Sequence, residues 1–327
     1  MRRLSCLFIT AILALSFAAL FHGCGGGGAS TSRGGGTDAT LTASNASQVG
    51  DAVAQAVKLV TPSTALGEVK GASVSPDTSA PLISIIEKVV PVVEKHAANQ
   101  KQSSALLPSQ NCENGGNIQV TNISVPDLSG HVTADVNVNA CTIGSEVMSG
   151  TLEVTVPVGA INDLAHVTDF TIVASSFTYS DPHSTIALTD NFTMIASNIT
   201  YSGNSLTGGS LTLGGTVSGI IDGEAINIGC DSFGLSFSVD TAGGITVSIS
   251  GRINASCLGG WVSMATNQQV YLPAHASCPT GGEIVVSAGG ISVNVSIQPS
   301  SEIDIFFNGS LIQKYDNCLE VIGLCIA

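Results

Sequence analysis

The stretch TLEVTVPV, residues 151–158, decides the fold class. Leu152, Val154, Val156 and Val158 fall on one face, and Thr151, Glu153 and Thr155 on the other. Successive side chains of an extended chain point to opposite sides, so a period of two makes a half-buried strand. The same alternation returns at 132–138, 235–239, 245–249, 291–297 and 303–307. It starts near Asn117 and holds nearly to the C-terminus, with turn residues between the runs; residues 240–244 read as one hairpin turn. The pattern predicts a mainly β domain over 112–327, an antiparallel meander forming a twisted sheet or a sandwich.

An internal repeat sharpens this expectation. Residues 170–180 read FTIVASSFTYS and residues 192–202 read FTMIASNITYS, a spacing of 22 residues. Such a period fits one antiparallel hairpin or one coil of a parallel β-solenoid. The short Gly and Asp turns favour the hairpin, because parallel pairing needs long crossovers or a coil kept over many rungs. The solenoid stays open as the alternative.

Upstream of the strands the period changes. Val49, Val53, Val57 and Val60 are spaced as one face of a helix, with Ser44 or Asn45 as its cap, and this predicts a helix over 44–60. A second is predicted over 81–98, with Pro81 in its first turn, a stripe of Ile85, Ile86, Val89, Val92 and Val93, and a kink at Pro91. Residues 61–80, with Pro, Gly and Ser, read as a loop.

The first residues carry a different message. Arg2 and Arg3 precede an apolar run over 7–21, too short and wrongly flanked for a membrane span but suited to an export signal. Leu20, Phe21, His22, Gly23 and Cys24 resemble the lipobox of Gram-negative lipoproteins. Gly23 and Cys24 match that pattern, whereas Phe21 and His22 depart from it. The resemblance implies cleavage after residue 23, acylation of Cys24 with diacylglycerol and palmitate, and, with Gly rather than Asp at position 25, delivery to the outer membrane. Ordinary secretion with Cys24 as a plain thiol is the other reading. Residues 24–39 are rich in Gly, Ser and Thr and predict a flexible tether. The expected organisation is signal 1–23, tether 24–39, helical segment with loop 40–111, and β domain 112–327.

Charge narrows the partners. The formal net charge is −14, and from Cys112 onward only Arg252 and Lys314 are basic. Binding to nucleic acid releases counterions from phosphates neutralised by several Lys or Arg on one face, so no nucleic-acid partner is expected. The expected partners are the membrane, through the lipid on Cys24, and a cell-surface protein or glycan.

The remaining cysteines read as staples of an exported protein. Cys112 and Cys141 flank the first hairpin; Cys230 and Cys257 lie almost equally far from the turn at 241–244; Cys278 and Cys318 follow at the opposite edge. Cys325 is left over, as a free thiol or as a competitor for Cys257 or Cys278. No C-x-x-C pair is present and no histidine sits at ligand spacing, so no metal or cofactor is expected.

Several segments together resemble a group of uncharacterised secreted β-rich proteins and lipoproteins of Gram-negative bacteria: TASNASQV at 42–49, CENGGNIQV at 112–120, SGRINASCLGGWVSMATNQQVYLP at 250–273 and SCPTGG at 277–282. The resemblance implies a cell-surface or periplasmic β protein preceded by a short helix, and it carries no activity.

The sequence contains no G-x-S-x-G elbow, no H-E-x-x-H, no Walker loop and no C-x-x-C-H. A nucleophilic set could be assembled only in space, from Asp181, His183 and one of many serines; a polar turn between the repeat copies explains Asp181 and His183 better, and no catalytic residue is assigned. Asp181, Asp190, Asp222, Glu224 and Asp231 are oxygen donors of the kind calcium takes but lack EF-hand or nonapeptide spacing, and read as solvated turns. Trp261, Tyr271 and Tyr201 are candidates for an aromatic platform, with packing against the sheet as the simpler role for Trp261. Asn198 and Asn254, in Asn-x-Ser/Thr triplets, fit a strand surface rich in Asn, Ser and Thr. The functional expectation is a non-enzymatic outer-membrane or cell-surface lipoprotein with a binding or structural role. The alternatives are a carrier holding an acyl chain between helix and sheet, and a surface hydrolase.

Overall fold

The computed structural model describes residues 36–49, the helical positions 82, 85, 88, 89, 92 and 93, and residues 109–316 apart from 125–129, 158–167, 183, 203, 204, 222, 223, 256, 257, 275, 277 and 278. The protein is mainly β, and its strands pair antiparallel in chain order, a meander. It divides into two compact units, residues 80–225 and residues 1–79 with 226–327.

The first unit holds β1 (Gln110–Asn111), β2 (Asn117–Ile123), β3 (His131–Ile143), β4 (Glu146–Pro157), β5 (Phe170–Ser180), β6 (Ser184–Ser202) and β7 (Ser205–Ile221). The alternation read from 151–158 is realised in register: Val132, Ala134 and Val136 face Val156, Val154 and Leu152 across the β3–β4 ladder, and all six are buried. Each such Val or Leu side chain stabilises the fold by about 1.5–3 kcal/mol through removal from water. Val158 lies outside the described residues. Helical positions 82, 85, 89 and 93 carry Leu82, Ile85, Val89 and Val93, each 0% exposed, and Val92 is buried as well, so the described members of the apolar stripe predicted over 81–98 are turned inward. Ile86 and Pro91 lie outside the described residues.

The repeat is a hairpin. Phe170, Ile172 and Ala174 of the first copy pair antiparallel with Ala196, Met194 and Phe192 of the second. A solenoid would stack Phe170 on Phe192; here Phe170 faces Ala196, and the β-solenoid alternative is overturned. The spacing of 22 residues is the chain running out along β5 and back along β6, so that the two copies become each other's ladder partners.

These long strands are not uninterrupted. Thr189 pairs with Thr216 and Thr193 with Gly214, so β6 takes four steps where β7 takes two. Asp190 and Asn191 occupy the bulge at φ 58° and 52°, a region Asp and Asn tolerate better than most residues. Gly215 lies against it at φ 94°, and a Cβ there would come within 2.6 Å of the Phe192 Cα. Bulges of this kind bend the strand and add right-handed twist.

At the β1 side, Cys112 and Cys141 form a disulfide with Cα atoms 5.4 Å apart, as the hairpin spacing predicts. Hydrogen bonds between Asn114 N and Thr142 O (2.9 Å) and between Thr142 N and Gly115 O (2.9 Å) hold the same corner.

The second unit holds β8 (Glu224–Val239), β9 (Ile245–Ala255), β10 (Gly260–Gln268), β11 (Val270–Leu272), β12 (Gly282–Ala288), β13 (Ile291–Ile297), β14 (Ile303–Phe307) and β15 (Ser310–Tyr315). Strand β9 is partnered on one side by β10, at residues 250–255, and then by β11, at residues 245–247. The gap between them is closed by Thr266, whose Oγ1 accepts from Ile249 N at 2.7 Å and donates to Ile249 O at 3.0 Å. The turn read at 240–244 is held by Asp240, whose Oδ1 accepts from Ala242 N and Gly244 N, each at 2.8 Å.

One cysteine expectation is corrected. Cys230 is a buried free thiol, and its cross-strand neighbour on β9 is Ile253. The turn-proximal register, with Leu235 opposite Ile249, already runs Cys230 toward Asn254, three positions short of Cys257; a bulge, where Asp231–Gly234 takes three steps for two on β9, moves it one further, to Ile253. Burial pushes its thiol pKa up to about 12, which keeps it protonated and unreactive. Cys24, Cys257, Cys278, Cys318 and Cys325 lie outside the described residues.

The predicted helix over 44–60 is described at residues 46–49, where Ala46 and Val49 are fully buried. It is preceded by a turn in which Thr42 N donates to Asn45 Oδ1 at 2.8 Å and Asn45 N to Thr42 O at 3.2 Å. The predicted tether boundary at residue 39 shifts. Asp38 forms a parallel bridge with Trp261, and Ala39 and Leu41 are buried, so the chain has already joined the fold at Gly36–Leu41.

Candidate functional site

The most organised group of polar and aromatic side chains among the described residues lies where the N-terminal segment meets β10. Strands β8, β9 and β10 bring Gly229, Asn254 and Trp261 into one cross-strand row, with Asp231 and Arg252 two positions along and therefore on the same face. The Arg252 Cζ sits 5.3 Å from the Trp261 ring centroid, close enough for a cation–π contact. Its Nη2 lies 3.0 Å from Asp38 Oδ1 and its Nη1 3.6 Å from Asp231 Oδ2.

The indole is flanked by glycines. A Cβ on Gly229 would come within 3.3 Å of Trp261 Cη2, and one on Gly36 would overlap Nε1. Trp261 N donates to Thr37 O at 3.0 Å, and Ala39 N donates to Trp261 O at 2.9 Å. The N-terminal segment is thus added as a short parallel strand on the side of Trp261 away from β9, and β12 begins to pair with β10 only from Ser263.

The other candidates are dispersed. Tyr271 is opposite Thr246 on β9 whereas Trp261 is opposite Asn254, eight positions apart, so these two aromatics do not form a common platform. The Tyr271 hydroxyl instead donates to Asp240 Oδ2 at 3.0 Å. The backbone amide of Gly244 and the Tyr271 hydroxyl hold the Asp240 carboxyl below the usual carboxylate range, and the same carboxylate raises the tyrosine pKa. The Tyr201 side chain lies outside the described residues.

Asp181 belongs to the β5–β6 turn: its Oδ1 accepts from Ser184 N at 2.6 Å and its Oδ2 from the Tyr179 hydroxyl at 2.9 Å. His183 lies outside the described residues. Asp190 sits in the β6 bulge, Asp231 faces Arg252, and Asp222 and the Glu224 side chain are outside the described residues. Among the described residues no three His, Cys, Asp or Glu side chains converge as a metal site would require. Asn198 has φ 54° at a second β6 bulge, where its N–H donates to Asp169 Oδ1 at 3.0 Å, and Asn254 lies between Gly229 and Trp261.

Away from this junction, the solvent side of the first unit is a lattice of short polar side chains. Thr133 and Thr155 hydroxyls lie 2.9 Å apart across β3–β4, Thr151 and Ser175 3.0 Å apart across β4–β5, and Asn139 Nδ2 donates to Asn117 Oδ1 at 2.8 Å across β2–β3. Such cross-strand pairs add about 0.2–1 kcal/mol each and give a surface of hydroxyls and amides.

Asp38, Gly36 and Gly229 escape a reading of sequence alone. Arg252 carries a visible signal, as one of two basic residues in the β domain, but its place opposite Asp231 is set by the β8 bulge and does not follow from the turn at 240–244. Compared with protein-family models and with curated proteins, the chain matches none. No helix among the described residues is long and apolar enough to cross a membrane.

Proposed function

We propose that the protein is a lipoprotein of the outer membrane or cell surface, held by an acylated Cys24, with a non-enzymatic binding or structural role. The observation that carries this reading is the sequence order at the N-terminus: an apolar run, Gly23 and Cys24, then a glycine-rich stretch leading to Gly36, the first described residue. Lipid chains contribute about 0.8 kcal/mol per buried methylene, so two or more on one cysteine give stable anchoring. Residues 25–35 allow the fold to stand at most about 40 Å from the anchor, at about 3.5 Å per residue.

The hydroxyl and amide lattice of the first unit supports the binding half of the reading. A surface of this kind offers donors and acceptors with little charge, the chemistry that meets a glycan or a neutral protein surface. Metabolic labelling with an alkyne fatty acid tests the anchor. Label on the unmodified protein, its loss in Cys24→Ala, and release of that variant into the soluble fraction are expected; an unlabelled wild type overturns the reading. Protease shaving of intact cells then decides between the outer surface and the periplasmic face.

A further inference from the structure

Residues 36–39 are the end of the stretch read as tether, yet they are inserted into the sheet as its one described parallel addition. We propose that they form a strap which Arg252 locks onto the open end of β10, and that this lock fixes the point at which the anchored chain joins the fold. The second half rests on the acylation of Cys24 proposed above; the first half does not.

Three independent contacts meet at the lock. The backbone supplies two hydrogen bonds around Trp261, at 3.0 and 2.9 Å. The indole is the seat: Gly36 is pressed on it closely enough that a side chain at residue 36 would overlap the ring. The guanidinium is the bolt, since it reaches Asp38 on the strap at 3.0 Å, Asp231 on β8 at 3.6 Å, and the indole beneath. An isolated surface ion pair stabilises little. Here the planar Arg is held by stacking as well as by two carboxylates, an arrangement that Lys does not reproduce.

The slot admits little else. A Cβ on Gly260 would approach Ala39 N and Thr37 O, both to 2.7 Å, so the strap backbone lies flat on a strand end that has no side chain to keep it away. Without the strap, the N–H and C=O of Trp261 would face solvent on an unpaired edge.

The test is amide hydrogen exchange on the full mature chain. The Ala39 amide, which donates to Trp261 O, is expected to be protected in the unmodified protein. Arg252→Gln and Gly36→Val are expected to raise its exchange rate about tenfold or more, while amides of β8 and β9 keep their rates, because local opening is separable from global unfolding. Asp38→Asn, at a side chain 54% exposed, removes the ion pair without touching the core and is expected to act in the same direction. High salt should raise Ala39 exchange in the wild type and leave it unchanged in Arg252→Gln. Free-chain exchange of Ala39 in the unmodified protein, or no response to any of the three variants, overturns the strap. Fatty-acid labelling of the unmodified protein separates the two halves: a protected Ala39 amide in an unlabelled wild type leaves the strap standing and removes the anchor, whereas label with free-chain exchange at Ala39 does the reverse.

Discussion

The two units build antiparallel sheet in different ways. In the unit of β1–β7 the strands are long, 19 residues in β6 and 17 in β7, and the chain accommodates that length with bulges whose odd backbone angles are faced by glycine. In the unit of β8–β15 the long β8 uses the same device, with Ser232 at φ 53° faced by Gly251, but several strands are short, 5 residues in β14 and 6 in β15, and side chains pin the backbone at the junctions: Asp240 at a turn, Thr266 across a gap, Arg252 over the strap. A long strand accumulates twist and must relieve it along its length, whereas a short one needs its ends secured. The long strands, most of them in the first unit, should therefore be sensitive to backbone freedom, and the junctions of the second unit to individual hydrogen bonds.

The sharpest way to break that contrast is a pair of adjacent glycines in β7. Gly215→Val forces a β-branched residue to φ 94° against the Phe192 backbone and should cost about 4 kcal/mol, the sum of strain and overpacking. Gly214 has open space around it and no such angle, so Gly214→Ala should change stability by no more than about 1 kcal/mol, in either direction. Equal effects of the two in urea denaturation would mean that the bulge does not dictate the glycine. Next in size is the Cys112–Cys141 link, which closes a loop of sequence separation 29. Replacing both cysteines by Ala should cost about 3 kcal/mol in the unfolding free energy, read from the denaturation midpoint under oxidising conditions.

In the second unit the expected effects are smaller and more local. Thr266→Val removes both hydrogen bonds to Ile249 and should cost about 1–2 kcal/mol, with faster amide exchange at Ile249 as the specific sign. Asp240→Asn should have the smallest effect, and one that depends on pH. The folded carboxyl is held below its ordinary value of 3.8, so its contribution is complete above that pH and is lost as pH falls through the lowered folded value. Wild type and variant should thus differ in thermal midpoint near neutrality and converge in strong acid; a gap that persists there would assign the effect to packing instead.

The period-two alternation made the strands legible because each strand buries one of its two faces, and the repeat disclosed a hairpin because short turns cannot serve parallel strands. Registers past a bulge were not legible. Equal distance from the 240–244 turn suggests Cys230 near Cys257, but the register set at that turn runs Cys230 toward Asn254, and one extra residue between Asp231 and Gly234 moves it on to Ile253. A bulge is written in backbone angles at residues such as Ser232, φ 53°, whose identity alone does not announce them. The junction was half legible: Trp261 and Arg252 stand out by rarity, while their partner Asp38 lies 214 residues from Arg252 in a stretch that composition alone assigns to tether. Composition reports what a segment can bury; a main-chain bridge such as that of Asp38 needs no apolar side chain.

The parallel bridge of Asp38 has one more consequence, a mechanical one. Tension applied from the N-terminus reaches the two hydrogen bonds at Trp261 before it reaches the ladder joining β9 and β10 over Gly260–Ala265. The strap is the weaker of these two joints in series. Under load it should part first, paying out a few residues of slack and sparing the strands behind it, so that the molecule would carry its own fuse.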